Sequence, residues 1–285
     1  MVVTRFAPSP TGPLHLGHAY SALTAEALAR GAGGTFLLRI EDIDRSRARP
    51  EWEEQIYDDL HWLGIAWPVP VMRQSDRLQS YSEALQSLWD KGLLYPCHCS
   101  RRDIADALSA PQDGVVPAFG PDGPVYPGTC RPHAPLNGAM PLNLPLRLDM
   151  ARAIRGIDLV FSEIGCGPDG QSGTITYDAS HMIAEIGDVV LARRDMGTSY
   201  HLSVVCDDAA QQVTDVVRGQ DLFEATAIHV LLQRLLGLKT PLYHHHRLIR
   251  DADGKRLAKR DDARAIAAYR NEGATPADIR RMVGL

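Results

Sequence analysis

The sequence predicts an α/β fold built around a parallel sheet. Residues 2–6 form an apolar run typical of a short strand, residues 16–30 are rich in alanine and leucine, and residues 35–44 open with a second β-favouring run. A strand, a helix and a second strand in this order are the opening unit of a parallel α/β sheet. With 285 residues, 45% of them apolar, the chain is long enough to bury one large core or two smaller ones.

Amphipathic helices follow this opening unit. Apolar side chains recur at helical spacing in residues 50–63 and again in residues 76–91, and a glycine stands directly after each segment. A hairpin pattern surrounds residues 195–197, and residues 225–237 form a strongly apolar run that predicts a buried helix ending at its final glycine.

The composition changes between Pro111 and Pro145, where proline, glycine and asparagine dominate and helical periodicity is lost. This change predicts an insertion in a catalytic-size domain. We expect four parts, which are the first half of the domain (1–95), the insertion (96–180), the second half of the domain (181–240) and a C-terminal region (241–285).

Charge and cysteine content restrict the function classes. The net charge of −5 argues against a protein that coats nucleic acid through bulk charge, but residues 244–264 carry seven Arg or Lys against four Asp, a local basic segment that can steer RNA. No window approaches 18 uninterrupted apolar residues, and the N-terminus lacks the apolar stretch of a secretory signal. Five cysteines, an odd number, favour a reduced compartment over a disulfide framework. We therefore expect a cytoplasmic protein, and we expect a monomer.

The segment PSPTGPLHLGHAYSAL, residues 8–23, places two histidines at the start of the first helix. The start of a helix exposes unpaired backbone N–H groups and the positive end of the helix dipole, so it attracts phosphate. Gly17 allows a ligand to approach the backbone closely, and His15 and His18 lie on one side of the first turn, where both can donate to phosphate oxygens.

Two segments resemble the signatures of class I aminoacyl-tRNA synthetases. RFAPSPTGPLHLGHA, residues 5–19, resembles the first signature, in particular that of the glutamyl enzymes, and GKRLAKRDDA, residues 254–263, is similar to the second, a lysine loop. Arg256 and Ala258 depart from the usual loop pattern, whereas Lys259 keeps its place. The resemblance implies His15, His18 and Lys259 as catalytic residues and the following ATP-binding set: Pro8, His15, Gly17, His18 and Lys259.

The resemblance also implies a glutamate site. An amino acid with an ammonium and two carboxylates requires an acidic group and preferably two arginines, which Arg5, Glu41 and Arg218 supply. The full set implied by the resemblance is Arg5, Ala7, Ser9, Glu41, Tyr200 and Arg218. Glu41 is expected to face the amino group and Arg218 to favour an acidic side chain over an amide. Taken singly, Glu41 can also be a surface ion-pair partner of Arg39 or Arg45, and Arg218 a solvated cation.

Three cysteines predict a metal site. Cys97, Cys99 and Cys130 offer three thiolates, and zinc prefers four nitrogen or sulfur ligands. The resemblance implies Tyr126 as the fourth ligand of one structural Zn²⁺, with His98 and His133 as chemical competitors. Mg²⁺ is expected to enter with ATP. Away from this site, Cys166 and Cys206 are expected to be structural, the latter in a strand-like run. The three histidines at 244–246 are expected to form a solvated strand end, with metal binding as the alternative.

The length of the C-terminal region refines the resemblance. Only 25 residues follow Arg260, fewer than the roughly 40 that a self-standing domain needs, so we expect no anticodon-binding domain. In this the chain resembles the glutamyl-queuosine tRNA(Asp) synthetases, truncated paralogues of the class I glutamyl-tRNA synthetases. The resemblance implies a Rossmann-like class I catalytic domain with a zinc-bearing insertion and a short helical C-terminus. It implies transfer of glutamate, activated with ATP, to the cyclopentenediol of queuosine in the anticodon stem-loop of tRNA(Asp).

Three other functions are compatible with part of the pattern. A glutamyl synthetase that charges the 3′ end of tRNA would need an anticodon reader from another chain. A small-molecule nucleotidyltransferase also uses a His-x-Gly-His turn, but it has no need of the set Arg5, Glu41 and Arg218. A non-catalytic RNA-binding relative is suggested by Arg256 and Ala258 in the lysine loop.

Overall fold

A computed structural model describes residues 1–109, 118–141, 143–250 and 264–285 of the chain. The strands, in chain order, are β1 (Val3–Phe6), β2 (Thr35–Ile40), β3 (Met72–Arg73), β4 (Leu94–Pro96), β5 (Phe119–Gly120), β6 (Gly123–Pro124), β7 (Leu146–Leu148), β8 (Leu159–Glu163), β9 (Gly173–Tyr177), β10 (Val190–Ala192), β11 (Asp215–Gly219) and β12 (Leu242–His246). The helices are α1 (Leu16–Gly31), α2 (Pro50–Trp62), α3 (Leu78–Asp90), α4 (Arg101–Ser109), α5 (Met150–Ala153), α6 (Ala179–His181), α7 (Tyr200–Ala210), α8 (Ala225–Leu236), α9 (Ile266–Asn271) and α10 (Pro276–Val283).

Two groups of strands meet along β1 and β11. β1, β2 and β3 pair in parallel in that order, and β11, β12 and β8 continue in parallel on the other side, with β9 antiparallel at the edge. The starts of β1 and β11 are joined by a bond from the Thr214 N–H to the Val3 carbonyl (2.9 Å). The chain thus runs outward in opposite directions from this line, and ligands of open α/β sheets bind at such a reversal, beyond the carboxyl ends of the strands.

Among the described residues, the apolar interior has two large clusters, besides a small third one at Tyr95, Cys97 and Tyr126. One joins α1, β1, β2 and α2 to the C-terminal helices, with Leu14, Leu23 and Leu60 packed in the same cluster as Ile266 and Ile279. The other surrounds α3, β7, β10, α7 and α8. A bond from the Ile266 N–H to the Leu14 carbonyl (2.8 Å) ties the start of α9 to the turn before α1.

Most predicted elements are confirmed, and three details differ. The helices predicted over 16–30, 50–63 and 225–237 correspond to α1, α2 and α8. The second strand ends at Ile40, and the helix predicted over 76–91 begins with a 3₁₀ turn before α3. The hairpin predicted around 195–197 is wrong, because the Ser199 side chain accepts from the Leu202 N–H and starts α7 where a returning strand was expected.

Residues 118–141 are largely irregular apart from the short β5–β6 hairpin. One of their attachments to the rest of the chain is the bond from Arg131 to the Asp188 side chain (2.6 Å). The same carboxylate accepts from the Met150 N–H (2.9 Å) and from Tyr95, outside this range. The range 96–180 also supplies β8 and β9 to the main sheet. Within the described ranges, no helix combines the length and apolarity needed to cross a membrane.

Candidate active site

A cavity of about 330 Å³ lies at the carboxyl ends of β1, β2, β11 and β12. Eight of the residues predicted to bind glutamate or ATP line it: Arg5, Ala7, His15, Gly17, His18, Glu41, Tyr200 and Arg218. Pro8 and Ser9 lie in the turn after β1, and the Pro8 carbonyl accepts from the Glu41 N–H (3.0 Å), which fixes the turn to the end of β2. Lys259 lies outside the described residues.

The two histidines cap α1 reciprocally. Nδ1 of His15 accepts from the Gly17 N–H (3.1 Å), and Nδ1 of His18 accepts from the His15 N–H (3.1 Å). A neutral imidazole that accepts on one nitrogen carries its proton on the other. Both rings therefore carry a donor at Nε2, and both line the cavity with ring centroids 3.8 Å apart.

Gly17 is required by this arrangement. A Cβ on Gly17 would lie 3.0 Å from Cε1 and 3.1 Å from Nδ1 of His15, closer than most side-chain contacts. The absence of a side chain lets the His15 ring fold back over the first turn of the helix. The glycine of the motif thus positions a histidine as well as opening the helix terminus to a ligand.

The described residues that flank 251–263 lie at the same cavity. Leu248 and Ile249 line it on one side. On the other side, Ala265 forms a β-bridge with His15.

A network of buried charges forms the opposite end of the cavity. Arg5 donates through Nε (3.0 Å) and Nη2 (3.3 Å) to the two carboxylate oxygens of Asp208, and Arg39 donates to Asp208 (2.7 Å) and to Glu41 (3.2 Å). Arg5 is 6% exposed and Arg39 is fully buried. The ion pair between Glu41 and Arg39 that the sequence left open thus exists, but it lies inside the molecule.

The two carboxylates of this network differ in their protonation behaviour. Burial alone would raise the pKa of Asp208, but Arg5 and Arg39 lower it below its usual value. Burial raises the pKa of Glu41, and Arg39 and Arg5 offset only part of that effect. An added cation would consequently stabilise the charged form of Glu41.

Arg218 is buried, 6% exposed, and held by neutral acceptors. Its Nε donates to Nε2 of His245 (3.1 Å), its Nη1 to Nδ1 of His229 (2.9 Å) and its Nη2 to the Thr226 hydroxyl (2.7 Å). A guanidinium has five N–H donors, so these bonds leave one on each terminal nitrogen. Among the described residues, no carboxylate forms an ion pair with Arg218. The side chain is therefore suited to accept a carboxylate from a ligand.

Sequence reasoning missed the partners of these arginines. Asp208 joins Arg5 to Arg39, and His229 and His245 hold Arg218, although no local motif marks these three residues. The expectation of a solvated strand end at 244–246 is wrong for His245 and His246, which are 1% and 7% exposed. The physical reason is that β12 lies between β11 and β8, and His245 also faces Glu163 (2.5 Å) on β8.

The three predicted thiols and Tyr126 form a second cluster. The sulfur atoms of Cys97, Cys99 and Cys130 lie within 4.8 Å of one another, and those of Cys99 and Cys130 are 3.5 Å apart. Two sulfurs bound tetrahedrally at about 2.3 Å from one ion are roughly 3.8 Å apart, so the group fits a metal ion. The Tyr126 hydroxyl lies 3.4 Å from the Cys99 sulfur and 3.6 Å from that of Cys97.

The groups of this cluster differ in their pKa shifts, and only Cys130 has a lowered pKa. Burial would raise the pKa of Cys130, but hydrogen bonds from Tyr126 and the His98 N–H lower it to about 7, which favours the thiolate. Burial and the neighbouring thiols raise the pKa of the Tyr126 phenol. Among the described residues, the imidazoles of His98 and His133 are not part of the cluster. The geometry therefore favours Tyr126 as the fourth group.

The remaining cysteines differ from expectation. Cys166 is exposed, and Cys206 is half-buried on α7 instead of lying on a strand. Burial raises the pKa of Cys206 to about 12, so its thiol stays protonated.

Comparison with known proteins places this geometry in a family context. The sequence model described as tRNA synthetases class I (E and Q), catalytic domain, matches residues 1–112 and 166–285. A protein from Rhodobacter capsulatus named Glutamyl-Q tRNA(Asp) synthetase is 62% identical, and the alignment covers all of both chains. One of the same name from Geobacter sulfurreducens is 42% identical over 95% of this chain and 79% of its own.

Solved structures give the same picture of the fold. A glutamate tRNA ligase from Elizabethkingia meningosepticum, crystallised with its amino acid, superposes with a TM-score of 0.77 at 27% identity, covering all of this chain and 60% of that one. This chain thus spans about three-fifths of the ligase. The methionyl-tRNA synthetase of Mycobacterium tuberculosis, 12% identical with a TM-score of 0.62 over 99% of this chain and 63% of its own, shares the fold.

Proposed function

This chain belongs to the glutamyl-Q tRNA(Asp) synthetase family of the class I tRNA synthetases and is therefore a ligase, and from this premise we propose its substrates. We propose that it activates L-glutamate with ATP as glutamyl-adenylate and transfers the glutamyl group to the cyclopentenediol of queuosine at the wobble position of tRNA(Asp). The observation that carries the choice of amino acid is Arg218, a buried cation that lines the cavity with an N–H left on each terminal nitrogen.

In the proposed complex, the side-chain carboxylate of glutamate binds Arg218 and its ammonium binds Glu41. Glu41 is suited to this role because burial raises its pKa and the neighbouring arginines offset this only in part, so a substrate ammonium would stabilise its charged form. Tyr200 lines the cavity beside them. Arg5, neutralised by Asp208, holds the wall, and Ala7 and Ser9 form the turn that supports it.

ATP is proposed to bind at the start of α1. The Nε2–H groups of His15 and His18 donate to phosphate oxygens, Gly17 and Pro8 leave room for the nucleotide, and Lys259 adds a positive charge. Mg²⁺ enters with the nucleotide and needs few protein ligands of its own. These groups stabilise phosphate charge as it develops during the reaction.

The chemistry requires little of the protein beyond positioning. The α-carboxylate of glutamate is ionised at neutral pH, so it attacks the α-phosphorus of ATP without a general base, and pyrophosphate leaves. A hydroxyl of the queuosine ring then attacks the carbonyl carbon of the adenylate. AMP leaves, the hydroxyl proton is released, and an ester remains on the modified base.

Cys97, Cys99, Tyr126 and Cys130 are proposed to hold one structural Zn²⁺. The three thiols fit the ligand preference of zinc, and binding would displace the remaining protons of the cluster. The ion would fix the strand end at β4 to residues 126–130, since the four ligands come from these two segments.

The decisive experiment offers the purified protein ATP and radiolabelled glutamate with queuosine-containing tRNA(Asp) or the same tRNA lacking queuosine. Nuclease digestion then locates the label. We expect label in the anticodon fragment only when queuosine is present.

Label on the 3′-terminal adenosine would instead identify a charging enzyme, the alternative favoured by the superposition on a glutamate tRNA ligase. Pyrophosphate exchange that does not depend on glutamate would identify a small-molecule nucleotidyltransferase. Either result would contradict the proposal.

A further inference from the structure

A line of hydrogen bonds leads from Arg218 out of the cavity to Asp122 in the turn of the β5–β6 hairpin. Arg218 contacts Nδ1 of His229 (2.9 Å), Nε2 of His229 contacts Nδ1 of His201 (3.0 Å), and Nε2 of His201 lies 2.9 Å from both carboxylate oxygens of Asp122. His201 and His229 are 5% and 2% exposed. Neither histidine belongs to the sets proposed above.

The direction of every bond in this line is determined. Arg218 is always charged and can only donate, so Nδ1 of His229 accepts and the proton of that ring is on Nε2. That proton is donated to Nδ1 of His201, whose own proton is then on Nε2 and is donated to Asp122. The line thus begins at a cation, passes through two neutral imidazoles, and ends at a carboxylate.

This order matters for Arg218. Tautomers of the two rings with their protons exchanged would present a donor to the guanidinium and repel it. Asp122 favours the correct state because its carboxylate can only accept. Desolvation would raise the pKa of this half-exposed carboxylate, but the contact with His201 lowers it below its usual value. The line therefore connects the guanidinium to a residue that does not line the cavity.

We propose that Asp122 is a positioning residue for Arg218, acting through His201 and His229 to hold the guanidinium where it receives a side-chain carboxylate. This inference rests on the proposed function, since it concerns the glutamate that Arg218 binds. Its consequence is that a hairpin in the predicted insertion contributes to amino-acid affinity and to the preference for glutamate over glutamine.

The test is glutamate-dependent ATP–pyrophosphate exchange with the full chain carrying Asp122→Ala. Asp122 suits this test because its side chain is 52% exposed, so its removal leaves the core intact. We expect the KM for glutamate to rise by about 3- to 10-fold, the effect of one or two lost hydrogen bonds. The kcat and the KM for ATP should stay within about twofold, and discrimination against glutamine should fall.

Two variants provide the controls. Asp122→Asn keeps an oxygen that accepts from His201, so its KM for glutamate should stay near the wild-type value. Asp106→Ala removes another exposed carboxylate, 70% exposed on α4, and should have no effect.

A double-mutant cycle tests the path. The amide oxygen of His229→Asn can still accept from Arg218, but the shorter side chain does not reach His201. Adding Asp122→Ala to His229→Asn should therefore raise the KM no further. An equal rise in both backgrounds would overturn the proposal.

Further outcomes are equally decisive. A KM for glutamate in Asp122→Ala equal to that of Asp106→Ala would overturn the positioning role, as would an equal rise in the KM for ATP, which indicates general loosening. If the wild-type protein shows no glutamate-dependent exchange, the proposed function fails. If the wild type is active but Asp122→Ala is unchanged, only the present inference fails.

Discussion

The two ends of the cavity are built by different means. At the amino-acid end, side chains bond to side chains across β1, β2, β11, β12, α7 and α8, and the positions of Arg5 and Arg218 are set by partners far away in sequence. At the opposite end, His15 and His18 are held by backbone N–H groups within one turn of α1. One end is a tertiary network, and the other is a local motif.

The difference corresponds to what each end is proposed to bind. Glutamate is distinguished from glutamine by charged side chains held in fixed positions. A network of buried partners is required to hold them there. The phosphates of a nucleotide are recognised by donors at a helix terminus, which a short segment provides alone. Substitutions at the first end should change affinity for glutamate, and substitutions at the second should change the rate of the chemical step.

Arg218→Gln should have the largest effect. Loss of the cation removes the partner of the glutamate side chain and leaves the acceptors on His229 and His245 without a donor. We therefore expect kcat/KM for glutamate to fall roughly 150-fold, which corresponds to about 3 kcal/mol of transition-state stabilisation. Pyrophosphate exchange over a range of glutamate concentrations measures this. Arg234→Gln, an exposed arginine on α8, is the control. Unchanged kinetics would remove Arg218 from the site.

His18→Asn should reduce kcat by about 100-fold while leaving the KM for glutamate unchanged. The amide oxygen can still accept from the His15 N–H and preserve the cap, but the Nε2–H donor is lost. Removal of one donor that stabilises a developing charge typically lowers kcat on the order of 100-fold. Single-turnover formation of adenylate isolates this step. His61→Asn at the exposed end of α2 is the matched variant. A rise in the KM for glutamate alone would contradict the separation of the two ends.

Cys130→Ser should lower bound zinc and stability together, with about 2 kcal/mol lost from the free energy of unfolding. Elemental analysis and thermal melting measure the two quantities on the same sample. Cys166→Ser, at an exposed thiol, should change neither. Full zinc occupancy in Cys130→Ser would point to a different ligand set.

The pH dependence of the KM for glutamate should be the smallest effect, and it should arise at the amino-acid end of the cavity only. Because the pKa of Glu41 is raised, this carboxylate becomes protonated at a higher pH than an ordinary glutamate and loses its attraction for the substrate ammonium. The KM for glutamate should therefore rise as the pH falls, by at most about tenfold per pH unit, before the substrate carboxylates titrate. Glu41→Gln should remove this dependence. An equal acid rise in that variant would assign the effect to another group.

The sequence predicted what local patterns determine. The β1–α1–β2 unit, α2 and α8 follow from periodicity and turn residues, and the histidine turn follows from a contiguous motif. The missed features depend on distant pairing: Arg39 meets Asp208 from 169 residues away, and His245 is buried because β12 is an interior strand. The predicted hairpin at 195–197 was wrong because its turn residues are compatible both with a returning strand and with the start of a helix. Ser199 caps a helix here.

The bond between Leu14 and Ile266, and the packing of Ile279 against the first helices, have a consequence for biosynthesis. The apolar cluster beneath the histidine turn combines residues of the first 65 with Val217, Ile249 and residues from 266 onward. A growing polypeptide can form β1, α1 and β2 early, but it cannot close that cluster until Ile279 has emerged from the ribosome. The segment made first is therefore completed last, so nascent chains should expose this apolar surface to chaperones for most of their synthesis.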